Sequence, residues 1–278
     1  MKFDKSKVYN TLEDDIMGLK NKYPSVCDQH MLEVDKQVEL PVLDENYPYW
    51  DRSFCGRWKN FWIYIGIWTL VFFLAPIKYG LRICGRKNIT KNKKYFKNGA
   101  VTVSNHCYKW DLLGVLQAVR FKKLYFPAWK DNLMGSNRNL IRNVGGIPIP
   151  EGSFRATGAF FKAFDDLHAH KKWIHVFPES CSWHYYPYIR SFKRGAFDFA
   201  YRYDIPVIPM AFSFRKPKGL AGFLAGGKPL CTLNVGEPIF PDKNLSRKQC
   251  ILDLRKKTFD AVVSLAGIEN NPWPCEGD

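Results

Sequence analysis

A histidine and an aspartate stand five positions apart, directly after a short β-branched run that predicts a buried strand. The run is Val101–Ser104, and His106 and Asp111 follow it. An imidazole accepts a proton near neutral pH, and a carboxylate beside it fixes its tautomer and increases its basicity enough to deprotonate an alcohol. His106 and Asp111 are therefore the candidate catalytic pair.

The backbone between these two residues must turn for the pair to form. Residues five apart lie about 140° apart around an α-helix, so side chains with this spacing do not face each other within one helix. We expect His106 in the loop that leaves the strand and Asp111 in the first turn of the next helix, where an acidic side chain suits the helix dipole. The imidazole then folds back onto the carboxylate.

Three further motifs place polar groups or flexible backbone beside predicted strands and helices. Glu179 and its preceding proline follow the strand at 173–177, and in open α/β sheets this end of a strand is where ligands bind. Lys193 and Arg194 precede a glycine that opens a helix, which suits a phosphate. Gly146 gives a flexible approach to a stiff strand. A simple turn-capping role for Glu179 stays open.

The composition limits the classes of protein and partner. A chain of 278 residues, 46% of them hydrophobic, predicts one substantial domain with appendages. Its 42 basic and 26 acidic residues give a net charge of +16, which indicates an anionic partner: nucleic acid, acidic lipid or a phosphorylated small substrate. The eight cysteines lack zinc-site spacing, so the sequence predicts no metal site and reduced, cytosolic thiols.

The stretch from 61 to 77 contains no charged residue. Its length is at the lower edge of a bilayer span and Pro76 ends it, which predicts a short, tilted or re-entrant membrane helix. Basic residues flank both ends, and this favours a monotopic anchor on the cytoplasmic face over a full crossing. The alternative is a buried core helix, but the tryptophans and tyrosine within the stretch favour membrane attachment.

Alternating strands and helices from about residue 99 predict an α/β fold. We expect a mixed central sheet flanked by helices, with an N-terminal membrane-associated helical segment. The predicted regions are an appendage at 1–55, an anchoring helical segment at 56–98 and the α/β domain at 99–278. The predicted strands are 100–104, 124–127, 147–149, 173–177 and 206–213, and the predicted helices are one from 111, 154–168, 194–203 and one from the capping box at Ser246 and Gln249.

Five motifs in order give the chain a specific resemblance between about residues 99 and 240. The order Asn-His-x-x-x-x-Asp, Gly-Ile-Pro-Ile, Phe-Pro-Glu, Phe-Lys-Arg-Gly-Ala and Val-Ile-Pro resembles the glycerolipid acyltransferase family, which includes the lysophosphatidate acyltransferases. The resemblance implies acyl transfer from an acyl thioester, carried by coenzyme A or acyl carrier protein, to the free hydroxyl of a lysophospholipid. The acceptor that we expect first is lysophosphatidate, whose acylation gives phosphatidate. The resemblance also implies membrane lipid as a partner and no further cofactor.

The resemblance also implies a role for each matching residue. His106 is then the general base, and Asp111 orients it and stabilises its charged form, as a carboxylate does in a catalytic triad. The acceptor hydroxyl takes the place of a serine nucleophile, so no acyl-enzyme is needed. Glu179 would help to bind the acceptor, and Lys193 and Arg194 would bind its phosphate.

The chain departs from the family pattern at two points. Ser180-Cys-Ser182 stands where the family typically has Gly-Thr-Arg, so the usual phosphate-binding arginine is missing. Pro150 and Glu151 stand where members often carry another arginine. The nearby candidates to restore the charge are Arg155, Arg190, Lys193 and Arg194, and an acceptor with another head group is the alternative.

Two other classes of function compete with acyl transfer. A membrane-bound lipid or thioester hydrolase would use the same pair to activate water, although no Gly-x-Ser-x-Gly elbow supports a serine mechanism. A basic nucleic-acid-binding protein would stack bases on aromatic runs such as Tyr185–Tyr188. The apolar stretch and the lack of a recognisable nucleic-acid module argue against that class, so we expect no nucleic-acid partner.

Overall fold

The computed structural model of the chain describes residues 23–31, 34–78, 80–107 and 110–275. Residues 1–22 of the predicted appendage lie outside this range. The strands of the described part are β1 (Arg82–Cys84), β2 (Val101–Ser104), β3 (Leu124–Ala128), β4 (Gly146–Pro148), β5 (Trp173–Val176), β6 (Val207–Arg215) and β7 (Leu230–Val235). The α-helices are α1 (Phe54–Thr69), α2 (Ala75–Lys78), α3 (Lys87–Lys91), α4 (Asp111–Val119), α5 (Arg138–Asn143), α6 (Phe154–Ala169), α7 (Gly195–Tyr203), α8 (Gly219–Leu224) and α9 (Arg247–Ala266).

The strands form one mixed sheet in the order β1-β7-β6-β2-β5-β3-β4. From β6 to β4, neighbouring strands pair in parallel, whereas β7 runs antiparallel to β6 and β1 runs parallel to β7. The predicted α/β fold with a mixed central sheet is confirmed. The carboxyl ends of the five parallel strands meet at one edge, where the loops after β2 and β5 begin.

Helices cover both faces of the sheet, so its central strands are buried on both sides and read as nearly continuous apolar runs. Alternate residues of a strand enter different cores: Val207 packs with α6, α7 and α9, whereas Ile208 packs with α1 and α4. The strand period of two divides the apolar residues of each strand between these two cores.

The sheet begins before the predicted domain boundary at 99. β1 comes from the segment predicted only as an anchor, and it pairs with β7, which the sequence pattern did not reveal. A strand of three residues is too short to show a period of two, and it gains its stability from pairing with a neighbour. The described part of the N-terminal appendage also packs on the domain, since Tyr49 belongs to a core cluster.

The apolar stretch lies within one continuous helix, Phe54–Lys78, which is longer than the predicted 61–77. It comprises α1, a π-helical turn at Leu70–Leu74 and α2. Pro76 lacks an N–H for the helical hydrogen-bond ladder, and the wider turn directly precedes it. By length and composition the helix is apolar enough to cross a membrane.

This helix has two different apolar faces. Tyr64, Ile67 and Val71 are buried in the core, and the Tyr64 hydroxyl donates to the carbonyl of Val144 at 2.9 Å. The outer face exposes large apolar side chains. These are Phe54, Trp58, Phe61, Trp62, Ile65, Phe73, Leu74 and Ile77. The helix is therefore attached firmly to the domain while most of its apolar surface faces outward.

Candidate active site

His106 and Asp111 meet at the carboxyl end of β2. His106 lies in the loop after the strand and Asp111 is the first residue of α4, so the chain turns between them. The imidazole Nδ1 lies 2.7 Å from Oδ2 of Asp111, whose side chain is 1% exposed, whereas the His106 side chain is 27% exposed. An ionised Asp111 accepts the Nδ1–H, which leaves Nε2 as the nitrogen that can take a proton.

The Asp111 carboxylate also fixes the backbone of the loop. Its Oδ2 accepts a second hydrogen bond, from the N–H of Cys107 at 2.9 Å. The ring of Phe177 stacks on the imidazole with the ring centres 4.1 Å apart and 17° between the planes. The orientation of the base is therefore set by a charge-assisted hydrogen bond at its edge and by an aromatic ring on its face.

Asn105 joins the same loop to the neighbouring strand β6. Its Oδ1 accepts from the N–H of Phe212 at 2.7 Å, and its Nδ2 donates to the carbonyl of Phe212 at 3.1 Å. The side chain thus pairs with β6 as a strand residue would. Sequence reasoning did not assign roles to Asn105 or Phe177, although both stand within the quoted motifs.

Glu179 is buried, and protein groups occupy both of its carboxylate oxygens. Oε2 accepts from the backbone N–H of His106 at 2.9 Å and from Arg190 Nη2 at 3.0 Å, while Oε1 accepts from the backbone N–H of Arg190 at 2.8 Å. Glu179 does not line the groove described below. This geometry indicates that Glu179 positions the loop after β2, which carries Asn105, His106 and Cys107 and is called the catalytic loop below. Glu179 is not placed to make the predicted contact with the acceptor.

Arg190 is also buried. In contrast to the prediction, it does not supply charge to an open site. Its guanidinium donates to the carbonyls of Cys27, at 2.6 Å, and Cys181, and lies 4.4 Å from the centre of the Trp183 ring. A planar guanidinium suits such a site because it can donate in several directions while stacking on an aromatic face. Together with Glu179 it forms a buried ion pair.

The segment that directly follows Ser180-Cys-Ser182 runs alongside the loop after β2. The N–H of Trp183 donates to the carbonyl of His106 at 3.0 Å, and the N–H of Tyr185 donates to the carbonyl of Cys107 at 2.7 Å. The indole of Trp183 in turn donates to the carbonyl of Gln29 at 2.8 Å. This segment therefore supports the loop after β2 through backbone hydrogen bonds, and Gln29 of the N-terminal segment supports it in turn.

A groove of about 1210 Å³ passes His106 along this edge of the sheet. Where α7 and α9 approach it, its lining carries four cations, Lys193, Arg194, Arg202 and Arg247, together with Asp198 and Phe199 of α7. Where α1, α4 and α5 approach it, its lining is apolar, with Ile63, Ile67, Leu70, Leu113, Leu140, Ile141 and Val144. These helices cover opposite faces of the sheet, so the imidazole lies between a cationic and an apolar region.

Lys193 and Arg194, the predicted phosphate ligands, both line the groove. Lys193 pairs with Asp28 at 3.0 Å, and Arg194 pairs with Asp198 at 3.5 Å. Arg247 shares Asp198 at 3.3 Å. Sequence reasoning did not select Arg202 or Arg247 for this site, because the fold brings them there from helix positions with no motif of their own.

Two other predicted binding residues lie away from the groove. Arg155 is exposed at the start of α6 and pairs with Glu45 at 3.7 Å. Gly146 lies within β4, where a Cβ atom would come within 2.7 Å of the carbonyl of Ile141. Gly146 therefore serves close packing, and neither residue is placed to bind an acceptor.

Two buried groups beside the pair are held in their neutral forms. Burial raises the pKa of the Cys107 thiol well above its usual value, so this cysteine is not a competing nucleophile. Burial, and next to it the charge of His106, lower the pKa of His175 to about 3. Its Nδ1 lies 2.9 Å from the Thr102 hydroxyl. Among the described residues, no group of three or more His, Cys, Asp or Glu side chains could hold a metal ion.

The chain was compared with a family model, with solved structures and with curated proteins. Residues 81–213 match the family model described as Acyltransferase. The chain is also similar to the crystal structure of the 1-acyl-sn-glycerophosphate (LPA) acyltransferase PlsC from Thermotoga maritima, with 18% identity, a TM-score of 0.49, and coverage of 77% of this chain and 83% of that chain. No curated protein matches the chain. The family match begins at Leu81, directly before β1.

The buried His175 predicts a loss of stability in acid. The folded chain keeps this imidazole neutral down to a pKa of about 3, whereas the unfolded chain protonates it below its ordinary value of 6.5. Protons therefore favour the unfolded state as the pH falls through this window, by about 1.4 kcal/mol per pH unit once well below 6.5. Between about pH 7.5 and about pH 5, His175 should remove about 2 kcal/mol from the free energy of unfolding.

The variant His175→Gln isolates this contribution. Glutamine is uncharged at every pH and can keep the hydrogen bond to Thr102, so the acid-dependent loss should shrink by about 2 kcal/mol over the same interval. Denaturant unfolding of both proteins at each pH measures the difference. An equal pH dependence for the two proteins would show that His175 does not stay neutral in the fold.

Proposed function

The chain carries a domain of the acyltransferase family, and from this premise we propose that it is a membrane-associated O-acyltransferase. It transfers a fatty acyl group from a thioester of coenzyme A or acyl carrier protein to the free hydroxyl of a lysophospholipid. The reaction that we expect above others is the acylation of lysophosphatidate, which gives phosphatidate. The observation that carries the proposal is the His106–Asp111 pair in a groove with cations on one side and apolar side chains on the other.

The geometry of the pair supports direct transfer. Nε2 of His106 takes the proton of the acceptor hydroxyl while the hydroxyl oxygen attacks the carbonyl carbon of the thioester. The buried carboxylate of Asp111 stabilises the imidazolium that forms. Collapse of the tetrahedral intermediate breaks the carbon–sulfur bond, and the leaving thiolate takes the proton from the imidazolium. The products are an ester and a free thiol, and no further cofactor is needed.

The cationic side of the groove suits the phosphate of the acceptor. Four cations from α7, α9 and the loop before α7 line it, and among the residues that the structure describes their carboxylate partners include Asp28, Asp165 and Asp198. Gly195 begins the nine-residue helix α7 among them, and the N–H groups of a helix start add to the attraction for phosphate.

The apolar side of the groove suits a fatty acyl chain. Ile63, Ile67 and Leu70 of the long apolar helix line it, so the helix that we propose as the membrane attachment also borders the site. A monotopic position on the cytoplasmic face gives both lipid substrates a short path to the groove. Basic residues at both ends of the helix support that orientation.

The direct test uses the purified full chain in detergent. Radiolabelled acyl-coenzyme A is supplied alone, with lysophosphatidate, and with lysolipids of other head groups, and the labelled products are separated. We expect labelled phosphatidate that depends on the acceptor. Labelled free fatty acid that forms equally without any acceptor would replace the proposal with a hydrolase.

The catalytic pair predicts two distinct kinetic phenotypes. His106→Ala should lower kcat by about 10² to 10⁴-fold, because the general base is lost. Asp111→Asn should lower kcat and change the shape of its pH profile, because the imidazolium loses its counter-charge. His170→Ala at the end of α6 serves as a matched histidine control. Near-normal turnover of His106→Ala, with folding verified by thermal unfolding, would contradict the assignment.

The cations predict a change in acceptor affinity. Lys193→Ala and Arg194→Ala should each raise the acceptor KM about tenfold and lower kcat less, since a charge-assisted hydrogen bond to phosphate contributes about 1.5 kcal/mol. Lys257→Ala on α9 is the matched control, because its side chain pairs with Asp253. A fall in kcat at constant KM would remove the two residues from the phosphate site.

Glu179 gives the opposite kinetic pattern if it positions the base. Glu179→Gln should lower kcat with little change in acceptor KM, because its contacts are the His106 backbone and Arg190. A large rise in acceptor KM at constant kcat would restore the acceptor-binding role. Since an unpaired buried charge costs about 3 to 5 kcal/mol, the double variant Glu179→Gln/Arg190→Met keeps the test usable when the single variant is unstable.

A further inference from the structure

The short helix α8 exposes three large apolar side chains within one and a half turns. Leu220 is 72% exposed and Phe223 is 80% exposed, and Leu224 adds to the same surface. α8 lies in the connection between β6 and β7, and neither the sequence motifs nor the proposed chemistry uses it. Clustered exposed apolar side chains on a soluble surface mark a site of interaction.

The apolar surface of α8 continues that of the long apolar helix. α8 contacts α2, at the end of Phe54–Lys78, where Phe73, Leu74 and Ile77 are exposed. Arg215 at the end of β6 donates to the carbonyl of Gly80, which ties the start of this connection to the turn after α2. Two segments that are distant in sequence thus form one apolar surface.

The two segments that form this surface are basic in sequence. The sequence contains no aspartate or glutamate from 52 to 110 or from 205 to 236. Lys216, Lys218 and Lys228 flank α8, and Lys78 and Arg82 stand at the end of α2 and in β1. An apolar surface bordered by cations matches the boundary of a bilayer that contains acidic lipids, where each nearby lysine contributes about 1 kcal/mol.

We propose that α8 is a second membrane contact, which inserts Leu220, Phe223 and Leu224 into an anionic bilayer beside the helix Phe54–Lys78. The inference rests on the membrane association in the proposed function. Two contacts fix the tilt of the domain on the bilayer, which a single helix leaves open. The orientation of the groove relative to the lipid is then set by the fold.

A bilayer fits this surface better than a protein partner does. The three apolar side chains of α8 alone bury on the order of a few hundred Å², whereas a specific protein interface centred on this helix would bury about 1,000 Å² or more. Insertion into a bilayer needs no complementary shape, so a six-residue helix suffices when the neighbouring long helix already lies there.

The test is photolabelling of the reconstituted full chain by a lipid-soluble carbene precursor, followed by peptide mapping. Vesicles of phosphatidylcholine, with and without phosphatidylserine, are compared. The variant Leu220→Asp/Phe223→Asp is compared with Leu252→Asp, a leucine exposed on α9 on the opposite face of the sheet. Acyl transfer by each protein is measured separately, with detergent-dispersed substrates.

We expect label on the peptide that contains 219–224 as well as on the helix 54–78. In the double variant, the label on the α8 peptide should fall at least about tenfold, since two buried side chains each contribute about 1.5 kcal/mol or more to insertion. Leu252→Asp should leave the label unchanged. Lys218→Gln/Lys228→Gln should reduce the preference for phosphatidylserine, by about fivefold for each lysine.

Label on 54–78 with none on α8 would overturn the proposal. A second copy of the chain that covers α8, shown by crosslinking at this surface and by loss of the α8 label, would also overturn it. The detergent assay separates the two claims. If α8 is labelled but no acyl transfer occurs, the proposed reaction fails and the membrane contact stands. If acyl transfer occurs and α8 stays unlabelled, the contact fails and the reaction stands.

Discussion

The catalytic loop depends on one buried carboxylate, that of Glu179. It accepts hydrogen bonds from the backbone of His106 and from both the backbone and the guanidinium of Arg190. In a site of low dielectric, removing one partner leaves an unpaired charge, at a cost of about 3 to 5 kcal/mol. The end of β5, the loop after β2 and the segment up to Arg190 therefore behave as one unit, and the position of the imidazole follows from it.

The order of the strands makes this arrangement possible. β2 lies between β5 and β6, so the loop that leaves it has a parallel neighbour on either side. Glu179 reaches the loop from beyond β5, and Asn105 joins it to Phe212 of β6. Asp111 then closes the loop from α4. A base held from three directions retains its orientation when the substrate binds, which acid–base catalysis requires.

The sequence predicted the structural elements that depend on the local order of residues. It did not reveal the contacts that depend on tertiary packing. The turn between His106 and Asp111, the five parallel strands and the helices α4, α6, α7 and α9 follow from periodicity and spacing within a few residues. The pairing of Glu179 with Arg190 does not, because an eleven-residue separation with aromatic residues between carries no spacing signal. Arg155 shows the same limit, since its place near a motif did not reveal that it points to solvent. The strands β1 and β7 stabilise each other at the sheet edge, and neither is recognisable alone.

The position of the groove across the edge of the sheet explains how one site can serve a molecule with two unlike ends. Strand residues alternate between two cores, so helices of different composition cover the two faces. The face with α7 and α9 brings cations to the edge, and the face with α1 and α4 brings apolar side chains. Tyr64 fastens α1 to the carbonyl of Val144, which borders the groove. Under the proposed membrane attachment, α1 both lines the apolar end of the groove and holds that end at the bilayer. The cationic end of the groove lies on the other side of the imidazole.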